Sequence, residues 1–217
     1  ADYYFNFFLV ASGQKRNITR LEAGVCMKLV EIQNLQKKFG ALKALDNINL
    51  TLLSGEDYAI RGASGSGKST LLYLLGGMDR HDEGVIRVNG RSLTELNDEQ
   101  LAHYRNTFVG FIFQFHFLLP AMNCCDNILL PAQLAKLSSH EFTRVKNEIK
   151  ILAERLGVAN CLTKFPYEIS GGEQQRINII RAVSLKPKLL LCDEPTGNLD
   201  SINSNKVMKL LRDIALD

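Results

Sequence analysis

Gly62-Ala-Ser-Gly-Ser-Gly67-Lys68-Ser69 satisfies the pattern Gly-x-x-x-x-Gly-Lys-[Ser/Thr], whose residue types fit a polyphosphate. Gly62, Gly65 and Gly67 free the backbone to wrap around phosphate oxygens with its N–H groups turned inward. Ser64, Ser66 and Thr70 complete the same cradle, and the helix that begins here offers its positive end to the anion. Lys68 supplies a flexible point charge for the β- and γ-phosphates, and Ser69 can ligate Mg²⁺. A chance Lys in a flexible Gly/Ser loop is the bland alternative. The placement between an apolar strand and an apolar helix argues against it. Alone, the motif denotes a nucleotide phosphate and does not separate kinase, GTPase, motor or transporter.

Far downstream, Asp193 ends an apolar run and Glu194 follows it. A carboxylate at a strand's C-terminal tip, across from a phosphate loop, can hold Mg²⁺ through water. Glu194 is then placed to polarise a water for in-line attack on the γ-phosphate. Without the phosphate loop the pair would read equally well as a solvated acidic turn before Pro195.

These groups need a scaffold, and the apolar patterning supplies one. Leu29–Ile32 and Ile48–Leu52 alternate with period two, and Tyr58–Ile60 is a short strand leading into the Gly-rich turn. Ser69–Gly76 reads as an apolar helix, and Val85–Val88 returns to strand before the Asn89-Gly90 turn. Ser138 and Glu141 have capping-box spacing ahead of Phe142, Val145, Ile149, Leu152 and Leu156, one helical face that Gly157 stops. Gly172–Leu185 is a further helix. Lys188–Cys192 is a continuous apolar run, as in a strand buried on both faces of a parallel sheet. The expected class is α/β, with strand-rich material before the core and a helical insert within it.

A second anion site is legible in Ser170-Gly-Gly-Glu-Gln-Gln-Arg176. Ser170 and Glu173 have capping-box spacing, so a helix can start there, and Gly171 and Gly172 allow a phosphate close to the backbone. One ATP hardly needs two such cradles unless they close on it from both sides. This stretch resembles the signature motif of ABC ATPases, and other marks of that family stand in order across residues 28–217. Phe39 sits where the family places an aromatic to stack on adenine. Gln114, closing Phe111-Ile-Phe-Gln, resembles the glutamine that reaches Mg²⁺ and the attacking water. Asp193–Asp200 resembles the acidic strand end running into the family's D-loop.

The resemblance implies a P-loop NTPase (RecA-like) core with an antiparallel β subdomain and an α-helical signature subdomain. It implies ATP and Mg²⁺ as ligands and a head-to-tail dimer, each ATP held between one subunit's phosphate loop and the other's signature. Gly76–Arg80, Gly110–Gln114, Glu173–Arg176 and Gly197–Asp200 further resemble the lipoprotein-releasing, macrolide-export and bacitracin-resistance group. That group works with a separate transmembrane permease, which implies a cytoplasmic subunit held peripherally at the membrane's inner face. The permease should dock near Gln114–Asn127, where Phe115, Phe117, Leu118 and Leu119 offer apolar surface or belong to the core.

Bulk properties agree with a soluble globular chain. Of 217 residues, 46% are hydrophobic and 23% charged, and a formal net charge of +3 gives no reason to expect nucleic acid. No Cys-x-x-Cys pair occurs among the five cysteines, so reduced, mostly buried thiols are expected. No apolar run approaches the roughly 18–20 residues of a membrane span. Residues 1–26 are expected to lie outside the functional domain, with residues 27–217 forming the ATPase domain.

Three features depart from the family pattern. Arg61 stands where an apolar residue is usual, and Asn178 and Ile180 replace small residues in the signature helix. The family's switch histidine follows one more strand beyond the D-loop, whereas His81, His103, His116 and His140 all lie upstream. The C-terminal strand and helices are therefore expected to be missing. Two other readings remain from sequence: a non-transport soluble ABC ATPase, and a nucleotide-binding fragment with weak turnover.

Overall fold

Short apolar runs and turn residues pair here into two sheets with helices packed between and beside them. In this computed structural model the described residues are 7–11 (backbone only), 27–113, 117–195, and 204, 205, 207–209 and 211. The strands are β1 (Phe7–Ala11), β2 (Lys28–Phe39), β3 (Leu42–Leu53), β4 (Asp57–Ala59), β5 (Glu83–Val88), β6 (Arg91–Ser92), β7 (Val109–Ile112) and β8 (Leu189–Asp193). The helices are α1 (Lys68–Leu75), α2 (Asp98–His103), α3 (Cys124–Leu134), α4 (Ser139–Arg155) and α5 (Gly171–Val183).

One sheet is antiparallel, in the order β3-β2-β5-β6. β2 and β3 are much longer than their apolar signal, twelve residues each. Register shifts break the ladder between Ile32 and Leu35 and again near Lys37, and Asn34 and Asn47 take positive φ. Each irregularity resets which residues face inward, so the alternation fades while the strands continue to pair.

The other sheet has the order β4-β1-β8-β7. β7 and β8 are parallel, with Phe111 opposite Leu191. β1 is antiparallel to both neighbours, pairing Leu9 with Tyr58 on one side and with Leu191 on the other. β4, β8 and β7 therefore share one direction and β1 opposes it. Of residues 1–26, expected to stand outside the functional domain, Phe7–Ala11 pair into this sheet and the others lie outside the described residues. Backbone pairing with β4 and β8 is what brings these five residues in.

The core lies on both faces of this sheet, and β8 shows why its sequence is a continuous apolar run. Leu190 and Cys192 join α3, α4 and α5 through Ile128, Ile149, Ile177 and Ile180. Leu189 and Leu191 face the other way, onto α1 and the antiparallel sheet through Leu72, Leu75, Val30 and Ile86. A strand with two apolar layers needs no polar face. The helix expected after Ser138 is α4; its capping box is made, with Glu141 N–H donating to Ser138 Oγ and Ser138 N–H to Glu141 Oε2, and Gly157 ends it at φ 66°. Gly110 lies so close to α5 that a Cβ would sit 2.4 Å from the Ala182 carbonyl oxygen, which fixes how β7 meets the signature helix.

Candidate nucleotide site

β4 delivers the chain into the loop 61–67, and α1 begins directly after it. Gly65 and Gly67 adopt positive φ, 77° and 85°, the left-handed backbone that the cradle requires. Gly67 is also tightly hemmed in, since a Cβ there would meet the Ala44 carbonyl oxygen at 2.3 Å. Lys68 is buried, and its ammonium donates to the carbonyls of Gly62 (2.9 Å) and Ala63 (2.7 Å) and to Ser66 Oγ (3.3 Å). The cation is thus folded onto its own loop. Ser64, Gly65 and Ser66 are exposed, and Ser69 and Thr70 are half-buried on the first turn of α1.

The two distant motifs meet. Ser69 donates a hydrogen bond to the Asp193 carboxylate, and Lys68 lies close enough to favour its charged form. Burial nonetheless dominates and holds the Asp193 carboxyl above its ordinary range, helped by the neighbouring Glu194. The same field raises the Tyr73 phenol, first through burial and then through Asp193. A buried, partly destabilised carboxylate beside a serine hydroxyl suits a cation that would relieve it. Among the described residues no group of three or more His, Cys, Asp or Glu could hold a metal. Mg²⁺ here would draw its remaining oxygens from phosphate, water and neutral side chains such as that of Gln114. Glu194 follows at φ 48°, a left-handed conformation rare outside glycine, which re-aims its half-buried side chain away from the strand direction.

The second cradle is α5. Ser170 is its N-cap: Glu173 N–H donates to Ser170 Oγ at 3.4 Å, while Glu173 Oε2 accepts from Ser170 N–H (2.8 Å) and Ser170 O–H (2.7 Å). These hydrogen bonds, led by those from Ser170, push the Glu173 carboxyl down to about 2. Gly171 is exposed and Gly172 half-buried, so the first-turn backbone is open to an approaching group. Phe39 is 52% exposed at the end of β2, with the Lys37 ammonium over one face of its ring, 5.1 Å from the centre. Gln114 and Asp200, expected to contribute to the same site, lie outside the described residues, as does Phe115. Phe117 and Leu119 are exposed, whereas Leu118 packs against the helical core.

Three contacts at this site have no local sequence signal. Gln175, buried in α5, donates through Nε2 to the Pro195 carbonyl at 2.8 Å, tying the signature helix to the turn after Glu194. Asn127, fully buried in α3, accepts from Leu119 N–H at 2.7 Å and donates to the Leu119 carbonyl at 3.0 Å, fixing the segment after Gln114. Cys161 lies beneath Glu173, its thiol 3.3 Å from Oε1. The described cysteines, Cys124, Cys125, Cys161 and Cys192, are all free thiols, as expected.

A phosphate cradle, an acidic strand tip and a glycine-led helix start define a nucleotide-hydrolysing site, and comparison with known proteins agrees. The ABC transporter family model matches residues 45–197. The chain belongs to that family and is an ATP-binding, ATP-hydrolysing subunit of it. It is 44% identical over 187 residues to the lipoprotein-releasing system ATP-binding protein LolD of Geobacter metallireducens, covering 84% of this chain and 82% of the relative. It is 40% identical over 201 residues to LolD of Blochmanniella floridana, covering 93% and 84%. Among solved structures, a dimeric ATP-binding cassette in a post-hydrolysis state, bound to ADP and Pi, superposes with a TM-score of 0.74 at 32% identity, covering 86% of this chain and 82% of that one. A second dimeric bacterial ABC transporter cassette gives 0.76 at 30% identity, with the same coverage.

Proposed function

We propose that this chain is the energising subunit of a bacterial transporter of the lipoprotein-releasing kind, holding ATP between its own phosphate loop and the Ser170–Gly172 cradle of a second ATPase subunit. The observation that carries the reading is the convergence of Lys68, Ser69 and Asp193 on one spot at the foot of α1. Lys68 exchanges the Gly62 and Ala63 carbonyls for the β- and γ-phosphates of the substrate. Phe39 stacks on the base. Ser69, Asp193 and Gln114 are the residues that would hold Mg²⁺, which neutralises charge building up on the phosphates. Glu194 accepts the proton of the attacking water, and Asp200 belongs to the contact between subunits.

Two supports point to a partner subunit. Ser170–Gly172 present an exposed helix start that this chain's own nucleotide does not need. No described helix is long and apolar enough to cross a membrane; in this reading a separate transmembrane permease carries the transport, with the chain on the cytoplasmic face beside it. Phe117 and Leu119 are exposed, and Arg181 donates to the Phe117 carbonyl at 2.9 Å at the edge of a cavity of about 190 Å³ lined by Phe111, Phe113 and Pro131. That surface is where the permease docks in this reading.

Replacing Glu194 by Gln tests the chemistry. Steady-state ATP hydrolysis should fall about 100-fold or more while nucleotide affinity stays within a factor of two to three of the parent. Undiminished turnover would remove Glu194 from its role as base.

A further inference from the structure

Cys161 sits in the short turn after α4, fully buried, in a sequence that offers no reason to single it out. The structure places its sulfur 3.3 Å from Glu173 Oε1, with Asn160 Oδ1 farther away at 3.6 Å. The other oxygen of the same carboxylate, Oε2, takes both Ser170 donors. Glu173 is thus gripped from two sides: its outer oxygen closes the cap of α5, and its inner oxygen rests on a thiol rooted in the core. Cys124, also fully buried, is anchored to the same turn, its N–H donating to the Lys164 carbonyl at 2.8 Å. The turn under Glu173 is thereby tied to the start of α3, with Cys125 N–H also donating to the Leu162 carbonyl at 2.8 Å.

A carboxylate in a capping box usually has one oxygen free to swing in solvent. Here the free rotation is removed, and with it the freedom of the first turn of α5 to tilt. The carboxylate is negative at neutral pH, and a phosphate approaching Gly171 and Gly172 would be repelled by it if it turned toward them. Holding Oε1 down toward Cys161 keeps that charge behind the helix start, and it leaves the Gly171 and Gly172 amides in a fixed orientation.

We infer that Cys161 is a positioning residue for the signature cradle: its thiol donates to Glu173 Oε1, fixes the start of α5, and so sets how tightly this chain's Ser170–Gly172 closes on the nucleotide of a second copy. The inference rests on the two-half-site reading above. Cys161 touches no substrate; it acts through Glu173.

The test compares Cys161→Ala, which removes the donor with little change of volume, with Cys161→Ser, which keeps one, both in the full chain. Amide hydrogen exchange at Glu173 and Gln174, whose N–H groups are held by Ser170 Oγ and the Ser170 carbonyl, reads the start of α5 in the isolated protein without a partner. ATP-driven dimerisation, measured in the Glu194→Gln background so that nucleotide is not consumed, reads the composite site. In the Ala variant exchange at these amides should speed up about three- to tenfold, and the ATP concentration that half-dimerises the protein should rise by a similar factor. The Ser variant should return both toward the parent, and ATP binding to the monomer should be the same in all three. Unchanged exchange in the Ala variant, or a Ser variant no better than Ala, overturns the inference whatever the dimer does. If exchange changes as expected but Ser170→Ala and Cys161→Ala both leave ATP-driven dimerisation untouched, the two-half-site reading fails instead, and the consequence drawn for the partner's nucleotide falls with it.

Discussion

The starts of α1 and α5 are both phosphate cradles by sequence, yet they are built on opposite plans. α1 begins at Gly67 with left-handed backbone, no side-chain cap and no acidic residue in its first turn. Its buried Lys68 donates to the Gly62 and Ala63 carbonyls and to Ser66 Oγ, with the Asp193 carboxylate near by. α5 begins with a complete capping box and carries Glu173 in its first turn, so its cap is made without a ligand and leaves the Gly171 and Gly172 amides to face outward. The first start has no cap and is completed by an anion; the second is capped already and offers an anion only its first-turn glycine amides. A helix end of the first kind binds on its own. One of the second kind contributes when a triphosphate is already held in place by another surface.

This contrast can be broken most severely at Lys68. Lys68→Ala should lower ATP affinity about 100-fold or more by isothermal titration, with a smaller loss of thermal stability, because water can replace the ammonium at the exposed Gly62 and Ala63 carbonyls while Asp193 loses a favourable neighbour. Ser170→Ala is expected to do the reverse. It should cost about 1 kcal/mol of folding stability by urea denaturation through loss of the cap, and leave ATP binding to the isolated chain unaffected.

The smallest effect sharpens the comparison through pH. The Glu173 carboxyl is depressed to about 2 from an ordinary 4.5. Its contribution to stability is thus full above about pH 4.5 and is lost as pH falls toward 2. Glu173→Gln should remove that acid-sensitive component from the stability profile between those values. No equivalent carboxylate exists in the first turn of α1, whose Lys68 and Ser69 act on the acid limb only through Asp193.

How much of this was legible before the structure differs by the range of the interaction. α4 is set by local chemistry, a capping box and one apolar face, and it falls where Ser138, Glu141 and Gly157 place it. β8 is an apolar run because two layers cover it, and its ends match the run to within a residue. β2 and β3 were under-read because bulges at Asn34 and Asn47 scramble the period-two signal. β1 carries no strand signal that would distinguish an extension from a sheet member; its place depends on backbone pairing with β4 and β8, far away in sequence.

The site divides the same way. The phosphate loop and the Ser170 cap are local and readable. That Ser69 meets Asp193, that Gln175 reaches Pro195 and that Cys161 lies under Glu173 are long-range consequences of packing, with no periodicity or motif to announce them.

The central claim is that one ATP is held by unlike cradles on two copies of the chain. Mixing tests it directly. A Lys68→Ala chain keeps a sound α5 cradle, and a Gly171→Asp chain keeps a sound phosphate loop with a charge set against the partner's phosphate. Each alone should hydrolyse ATP about 100-fold more slowly than the parent. Mixed in equal amounts, half the dimers pair unlike chains and each of those holds one intact composite site, so hydrolysis should recover to about one quarter of the parental rate. Recovery of that order is the predicted result; a mixture no more active than its two components would contradict the account.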